Sequence, residues 1–315
     1  MNYKKIIKSR AVREKILRAL AFIPDRPMLC IQYRIKTGRR LNLKHPERFT
    51  EKLQWYKLYY HDPRMIACVD KYDVREYVHS RGYGYILNQC YGVFDRSEEI
   101  WPEALPGQFV LKDTLGSGGN AVILCPDKNS LDWAQVKRIT DEWCSIPLVR
   151  DGGREWPYYS GKKHRIMVEE FLQPPPCEEL RDYKFFCFGG KTAFVYVCSQ
   201  RQGGQSVQID LVSRDYEKLE VTRVGDEPTG PLPEKPKNFA EMRKIAEALS
   251  TGFPHVRVDL YSLNGTVRFG ELTFFNASGY MIYDPDEFDV EIGRKFTLPP
   301  KQKLTSDKYS NGSRQ

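Results

Sequence analysis

Two acids set inside strand-like sequence, Asp259 and Glu271, have the clearest capacity for chemistry in this chain. They lie in the segment 256–274, where Val256, Val258 and Leu260 alternate with Arg257, Asp259 and Tyr261, and Asn264-Gly265 marks a turn between two β-rich runs. A carboxylate on a strand must face water, a cation or a metal. Taken alone, such a hairpin is ordinarily a solvated outer face, and its register leaves two arrangements open. A loop of odd length, with Gly265 left-handed and a bulge, puts Arg257, Asp259, Glu271 and Thr273 on one face, whereas a strict two-residue turn puts the acids on opposite faces. Upstream, Lys112 ends an apolar run and is followed by Gly116-Ser117-Gly118-Gly119-Asn120, then by a second apolar run from Ala121 to Cys125. Small residues let backbone N–H groups approach a phosphate and the lysine adds a point charge, so strand, loop and strand read as a lid. Lys71, at the start of an amphipathic stretch, is a second cation of the same kind.

The elements that must position these residues fall into four parts and a tail. Residues 1–62 read as a helical extension, opening with Ile6, Ile7, Val12, Ile16, Leu17 and Leu20 interleaved with Lys4, Lys5, Lys8, Arg10, Arg13, Lys15 and Arg18. That stretch fits either a helix docked on the main body or contact with an anionic membrane surface. Residues 63–105 read as a small α/β region containing Lys71, and 106–172 as the lid with a helix near 130–144. Residues 173–299 read as an α+β unit holding the acid hairpin, a second hairpin turning at Gly189-Gly190 and a helix from about Phe239 to Ser250. The polar segment 300–315 reads as a disordered tail.

Composition narrows the class. A chain of 315 residues with 41% hydrophobic and 13% aromatic content can bury a substantial core, which excludes a disordered protein. No apolar run reaches the roughly 18 residues of a membrane span, and the expected location is the cytoplasm, with the inner face of the membrane open through the basic N-terminus. Cys68, Cys125, Cys187 and Cys198 lie in apolar runs and no CxxC pair occurs, so buried thiols in a reducing compartment are expected. Several nucleotide motifs are absent. Gly190-Lys191-Thr192 ends like a P-loop, but Phe185 stands where its first glycine belongs. No dinucleotide-binding glycine pattern and no kinase signature is present.

The ordered set of Asp70-Lys71, Phe109 to Lys112 with the glycine-rich loop, Val168 to Leu172, Arg257-Val258-Asp259 and Phe269-Gly270-Glu271 resembles the ATP-grasp enzymes. It is most similar to their TupA-like branch, associated with teichuronopeptide and other bacterial surface polysaccharides, over roughly residues 35–298. The resemblance implies an α+β ATP-grasp fold with ATP and Mg²⁺ as cofactors. It implies Lys71 and Lys112 on the phosphates under Ser117, Gly118 and Gly119. It further implies Glu169, Glu170 and Leu172 at the adenine, Glu178 or Glu179 at the ribose, Asp259 and Glu271 on the metal, and Lys184 near the phosphates or substrate. Two positions depart from the pattern. Thr273 stands where many such ligases carry a metal-binding Asn, leaving Asn276 as a substitute, and Asp113-Thr114-Leu115 lacks the basic or His character of the branch.

The expected activity is an ATP-dependent carboxylate–amine ligase working through an acyl phosphate, with Arg257 and Lys184 as the catalytic pair. Its expected partners are an amine and a carboxylate-bearing saccharide or peptide, with no nucleic acid. Two other classes stay open. One is a glycosyltransferase using Asp284-Pro285-Asp286 as its metal element, and the other is a non-catalytic basic module built on the N-terminus.

Overall fold

Period-two alternation condenses into eleven strands, and helical spacing into seven α-helices, among the described residues: 16–302 apart from 18, 117–120, 149–152, 176–177, 200–207 and 227–230. In this computed structural model the helices are α1 (Asp25–Thr37), α2 (Phe49–Tyr59), α3 (Arg64–Cys68), α4 (Val74–Ser80), α5 (Trp133–Cys144), α6 (Phe239–Ser250) and α7 (Glu287–Lys295). The strands are β1 (Cys90–Phe94), β2 (Phe109–Asp113), β3 (Val122–Cys125), β4 (Ile166–Glu169), β5 (Asp182–Phe188), β6 (Lys191–Ser199), β7 (Gln208–Ser213), β8 (Thr222–Arg223), β9 (His255–Leu263), β10 (Thr266–Thr273) and β11 (Tyr283–Asp284). The expected helices near 130–144 and at 239–250 are both present. The basic stretch before Ile16 and the loop residues Ser117, Gly118 and Gly119 lie outside the described residues.

Antiparallel pairing orders the first sheet β1-β4-β2-β3. Alternation along β2 and β4 sends Phe109, Leu111, Ile166 and Val168 to one face, where they form a core with Val136 and Trp143 of α5 and with Ile100, Leu105 and Cys125. Each of those four strand residues is fully buried, worth about 1.5–3 kcal/mol of apolar transfer apiece. The same alternation sends Val110, Lys112, Met167 and Glu169 to the opposite face.

The second sheet runs β10-β9-β5-β6-β7, also antiparallel. One face carries Tyr183, Phe185, Val195, Val197, Val258 and Leu260 into the main core, which α6 completes through Phe239, Met242, Ile245, Ala246 and Leu249. The other face changes character along its length. At one end Phe186, Phe188 and His255 pack with Phe49 of α2 and with Phe296. His255 is wholly buried, burial drives its pKa down to about 3, and the neutral ring hydrogen-bonds through Nδ1 to the Cys187 carbonyl at 3.0 Å. At the other end this face becomes charged: Lys184 on β5 lies opposite Asp259 on β9.

The β9–β10 turn settles the register question. It is the strict two-residue loop, with Leu263 opposite Thr266 and with Asn264 and Gly265 both left-handed at φ 52° and 76°. Asp259 nevertheless sits opposite Glu271, and Arg257 opposite Thr273. The expectation that such a turn would put the acids on opposite faces is corrected by an extra residue at Gly270, which shifts the ladder between Phe269 and Glu271. A Cβ at Gly270 would lie 2.9 Å from the Asp259 carbonyl oxygen and 3.2 Å from the Tyr261 ring, so only glycine fits this close approach.

The N-terminal helices brace the sheet. The Glu51 carboxylate accepts from the backbone N–H groups of Glu47 and Arg48 at 3.1 and 3.2 Å, fixing the start of α2. Thr50 binds Asp289 of α7 through both its N–H and its hydroxyl, at 3.0 and 2.6 Å. At the far end, Gln302 donates its N–H to the Tyr59 carbonyl at 3.0 Å, so the chain stays tied to α2 just beyond Pro300. The expected disordered tail otherwise falls on residues 303–315, outside the described ones.

Gly270→Ala is expected to lower stability by about 1–3 kcal/mol, because the added methyl must push β9 and β10 apart. Urea denaturation checks this. An unchanged midpoint would mean that the bulge tolerates a side chain and does not depend on glycine.

Candidate active site

The charged half of the second sheet is a network centred on Arg257. Its Nε and one terminal nitrogen grip both oxygens of Asp259 at 2.6 Å each, and that nitrogen also reaches Glu271 at 2.7 Å. The other terminal nitrogen donates to the Asn276 side-chain oxygen. Lys184 bridges Asp182, at 2.5 Å, and Asp259. Thr273 donates its hydroxyl to Glu271 at 3.1 Å. Asp259 is 1% exposed and Arg257 8%, so the first acid is buried within an ion network and does not lie on a solvated face.

Charges in such a place perturb one another. Burial alone would raise the Glu271 carboxyl, but Arg257, Lys184 and Lys71 hold it at about 2. Burial raises the Asp259 carboxyl, opposed by Arg257 and Lys184. Lys184 goes the other way: burial lowers its pKa, but Asp182 and Asp259 outweigh this and keep the ammonium protonated well above its ordinary range. Lys184 is thus held as a cation between two carboxylates.

The first sheet contributes the facing groups. Lys112 on β2 pairs with Glu169 on β4 across the strands. Lys71, in the turn before α4, donates its ammonium to the Gly116 carbonyl at the root of the glycine-rich loop, and its N–H to the Thr114 carbonyl at 2.9 Å. Burial lowers the Lys71 pKa, partly offset by Glu271 of the other sheet and by Asp113, while Lys112 lowers it further. Lys71 thus lies within electrostatic range of both Glu271 on the second sheet and Lys112 on the first.

The remaining candidates are more dispersed. Glu170 accepts from the Gln89 N–H at 3.2 Å and approaches Arg268 at 3.7 Å. Leu172 is half-buried on the connection from β4 to β5, and Glu179 on the same connection pairs with Arg181 at 3.0 Å. Asp286, the second acid of the proposed glycosyltransferase element, is held by Arg39 and Arg48, which neutralises it. Trp156 is buried and stacks on His61 at 4.3 Å.

Three features escaped sequence reasoning. Asp182 proves to be the second carboxylate on Lys184; its alternation with Lys184 along β5 was the available signal. Arg165 binds both Asp70 and Asp73, at 3.0 and 2.9 Å, clamping the Lys71 turn to the start of β4. His164 places Nδ1 2.8–2.9 Å from the carboxylate oxygens of the buried Asp113, supplying from 51 residues away the His character that the loop's own sequence lacks. Neither of the last two contacts had a local signal, because each spans a long stretch of chain.

The donors fit Mg²⁺. Oxygens of Asp259 and Glu271, on adjacent strands, both reach one nitrogen of Arg257, so they converge on a common point. Mg²⁺ commonly takes one or two carboxylates together with phosphate and water, which two acids satisfy. Among the described residues no group of three or more His, Cys, Asp or Glu has metal-binding geometry. Asn276 stands near enough to touch Arg257 but supplies an amide oxygen, not a third acid.

The second sheet carries paired acids with the buried Arg257 and the half-buried Lys184, and the strands flanking the glycine-rich loop belong to the first, an arrangement in keeping with the ATP-grasp class. Within that class the sequence matches the family described as TupA-like ATPgrasp over residues 51–297, and the chain belongs to it. Members of the ATP-grasp superfamily are ATP-dependent carboxylate–amine ligases. Similar solved structures include a D-alanine–D-alanine ligase from Bacillus anthracis complexed with ATP, 14% identical over 73% of this chain and 66% of that one, TM-score 0.40. A D-alanine–D-alanine ligase from Helicobacter pylori is 13% identical over 74% of this chain and 61% of that one, TM-score 0.41. N5-carboxyaminoimidazole synthetase from Staphylococcus aureus complexed with ADP is 12% identical over 75% and 54%, TM-score 0.39. The chain thus spans 54–66% of the length of these three proteins. A search of curated proteins finds no match.

The two acids are expected to differ sharply on substitution. Asp259→Asn removes a buried charge that balances Arg257 and Lys184 and should cost about 3–5 kcal/mol in chemical denaturation. Glu271→Gln, at a side chain 40% exposed, should stay within about 1 kcal/mol at neutral pH. Equal penalties would mean that the network is not centred on Asp259.

A second test uses pH. The folded pKa of Glu271 lies below its ordinary 4.5, so its contribution is complete above that value and is lost as pH falls toward 2. Subtracting the Glu271→Gln stability profile from that of the wild type should reveal this loss below 4.5. A flat difference would contradict the ion network.

Proposed function

We propose that this chain is an ATP-dependent carboxylate–amine ligase acting through an acyl phosphate. The observation that carries the reading is the grouping of Arg257, Lys184, Asp259 and Glu271 on one sheet, with Lys71 of the turn before α4 in electrostatic range of both Glu271 and Lys112 of the other sheet. Lys71 and Lys112 bind the nucleotide phosphates, with Ser117, Gly118 and Gly119 covering them. Glu169, Glu170 and Leu172 border the adenine and Glu179 the ribose. Asp259 and Glu271 would hold Mg²⁺, which supplies charge neutralisation at the phosphates when bound. The substrate carboxylate oxygen forms a bond to the γ-phosphorus while the bond to ADP breaks. The amine then bonds to the acyl carbon and inorganic phosphate leaves.

The network gives each cation a defined task. Arg257 is fixed by Asp259, Glu271 and Asn276, so its charge is already aligned where the phosphoryl group and then the tetrahedral intermediate carry negative charge. Lys184, held between Asp182 and Asp259, adds a second cation beside it. The lid excludes water, which would hydrolyse the acyl phosphate.

For the acceptor we infer a uronic-acid or glutamyl carboxylate of a bacterial surface polysaccharide, joined to an amine, on the cytoplasmic side of the membrane. The TupA-like family match supports this reading. No described helix is long and apolar enough to cross a membrane.

With an acceptor carboxylate, an amine and Mg-ATP, the protein is expected to release one ADP per amide formed. Hydroxylamine should capture a hydroxamate, and ¹⁸O from the labelled carboxylate should appear in inorganic phosphate. Release of AMP and pyrophosphate, or amide formation without label transfer, would establish an adenylate route and remove the roles given to Lys112 and Arg257.

A further inference from the structure

The outer face of α1 is unlike that of an ordinary surface helix. Its inner face is committed to the fold, with Met28, Leu29, Gln32, Tyr33 and Thr37 buried, and Tyr33 hydrogen-bonded to Thr50 at 2.8 Å. The turn ahead of it is pinned by the buried Arg154, which donates to the Leu20 and Ile23 carbonyls at 2.9 and 2.8 Å and pairs with Asp25 at 2.9 Å. A segment held this firmly presents a fixed surface. On it, Phe22 is 80% exposed, Ile31 49% and Ile35 46%.

Ile31 and Ile35 stand one helical turn apart and share a face with the exposed Pro27, where an amphipathic helix normally carries polar groups. Arg26, Arg34 and Arg40 are exposed close by in sequence. The charge distribution of the whole chain points the same way. Its first forty residues hold twelve Lys and Arg against two Asp and Glu, more than the net +8 of the entire chain, so everything after them is slightly acidic. Cations alone would suit a polyanion such as nucleic acid, and apolar side chains alone would suit another protein. Exposed isoleucines beside Arg26 and Arg34 on the same helix, in a stretch of sequence with this excess of cations, suit a bilayer with anionic headgroups, where isoleucine enters the acyl boundary and arginine meets phosphate.

We infer that the outer face of α1, led by Ile31 and Ile35 with Arg26 and Arg34, and joined by Phe22 ahead of the helix and Arg40 beyond it, docks the protein on an anionic bilayer surface. This holds whether or not the ligase reading does, since none of these residues belongs to the site between the sheets.

The test is cosedimentation of the full chain with vesicles of phosphatidylcholine and phosphatidylglycerol in equal parts, and with phosphatidylcholine alone. The wild type should bind the mixed vesicles, release them at high salt, and ignore the neutral ones. The double variant Ile31→Asp with Ile35→Asp should bind at least about tenfold more weakly while keeping the wild-type urea midpoint. Nucleotide binding, measured by calorimetry on both proteins, should be equal, which keeps a failure here distinct from a failure of the ligase assignment. Undiminished vesicle binding by the double variant overturns the inference, as does wild-type binding to neutral vesicles. A lowered urea midpoint, a dimer that the variant abolishes, or a wild-type preference for duplex DNA would each assign the face to another occupant and overturn it equally.

Discussion

A carboxylate buried at 1% exposure, like that of Asp259, is tolerable only if cations meet it directly, because desolvating an isolated charge costs far more than any single contact returns. Arg257 and Lys184 provide them, the first through a two-point grip and the second from the neighbouring strand. The rest of the site depends on this arrangement. Once Arg257 is fixed by Asp259, the terminal nitrogen that the two share also sets where Glu271 sits, and the remaining nitrogen sets where Asn276 sits. Lys184 is in turn held in position by sharing its ammonium between Asp259 and Asp182. An inflexible set of opposed charges is poor material for stability, yet it is what a phosphoryl-transfer site needs, because charges aligned in advance do not have to reorganise during the reaction.

Chain geometry makes the network possible at one residue. In a regular ladder closed by the two-residue Asn264-Gly265 turn, Glu271 would fall out of register with Asp259. The extra residue at Gly270 reverses this by one step, and the Asp259 carbonyl packed over that position leaves no room for a Cβ. The bulge aims a side chain while terminating nothing, since pairing resumes on its far side from Glu271 to Thr273.

The facing sheet is organised on a different principle. It carries its own apolar core against α5, and its cations reach the site only through the root of the glycine-rich loop and through the Lys112–Glu169 pair. Contacts between Arg165 and Asp70, and between His164 and Asp113, hold that root from the strand side. The root is also anchored by apolar packing, since Leu115 belongs to the main core of the second sheet.

Local pattern was enough to read much of this molecule. Alternation gave the strands around Asp259 and Lys112, Asn264-Gly265 and Gly189-Gly190 gave their turns, and helical spacing gave 239–250 with its boundaries. These features depend on interactions between near neighbours in the chain, so the sequence records them directly. The ordered residues also pointed to the ATP-grasp class, because strand-embedded charges are rare enough to stand out. What the sequence left open was decided by contacts between distant segments. Whether Asp259 faces solvent or a cation depended on Lys184, which is 75 residues away along the chain, and whether the acids share a face depended on a bulge that the turn residues do not encode. The pairing of His164 with Asp113 and of Arg165 with Asp70 left no periodic trace at all. Burial and register exist only once the sheets have formed, and it is burial that turns a conventional strand carboxylate into the centre of a charged site.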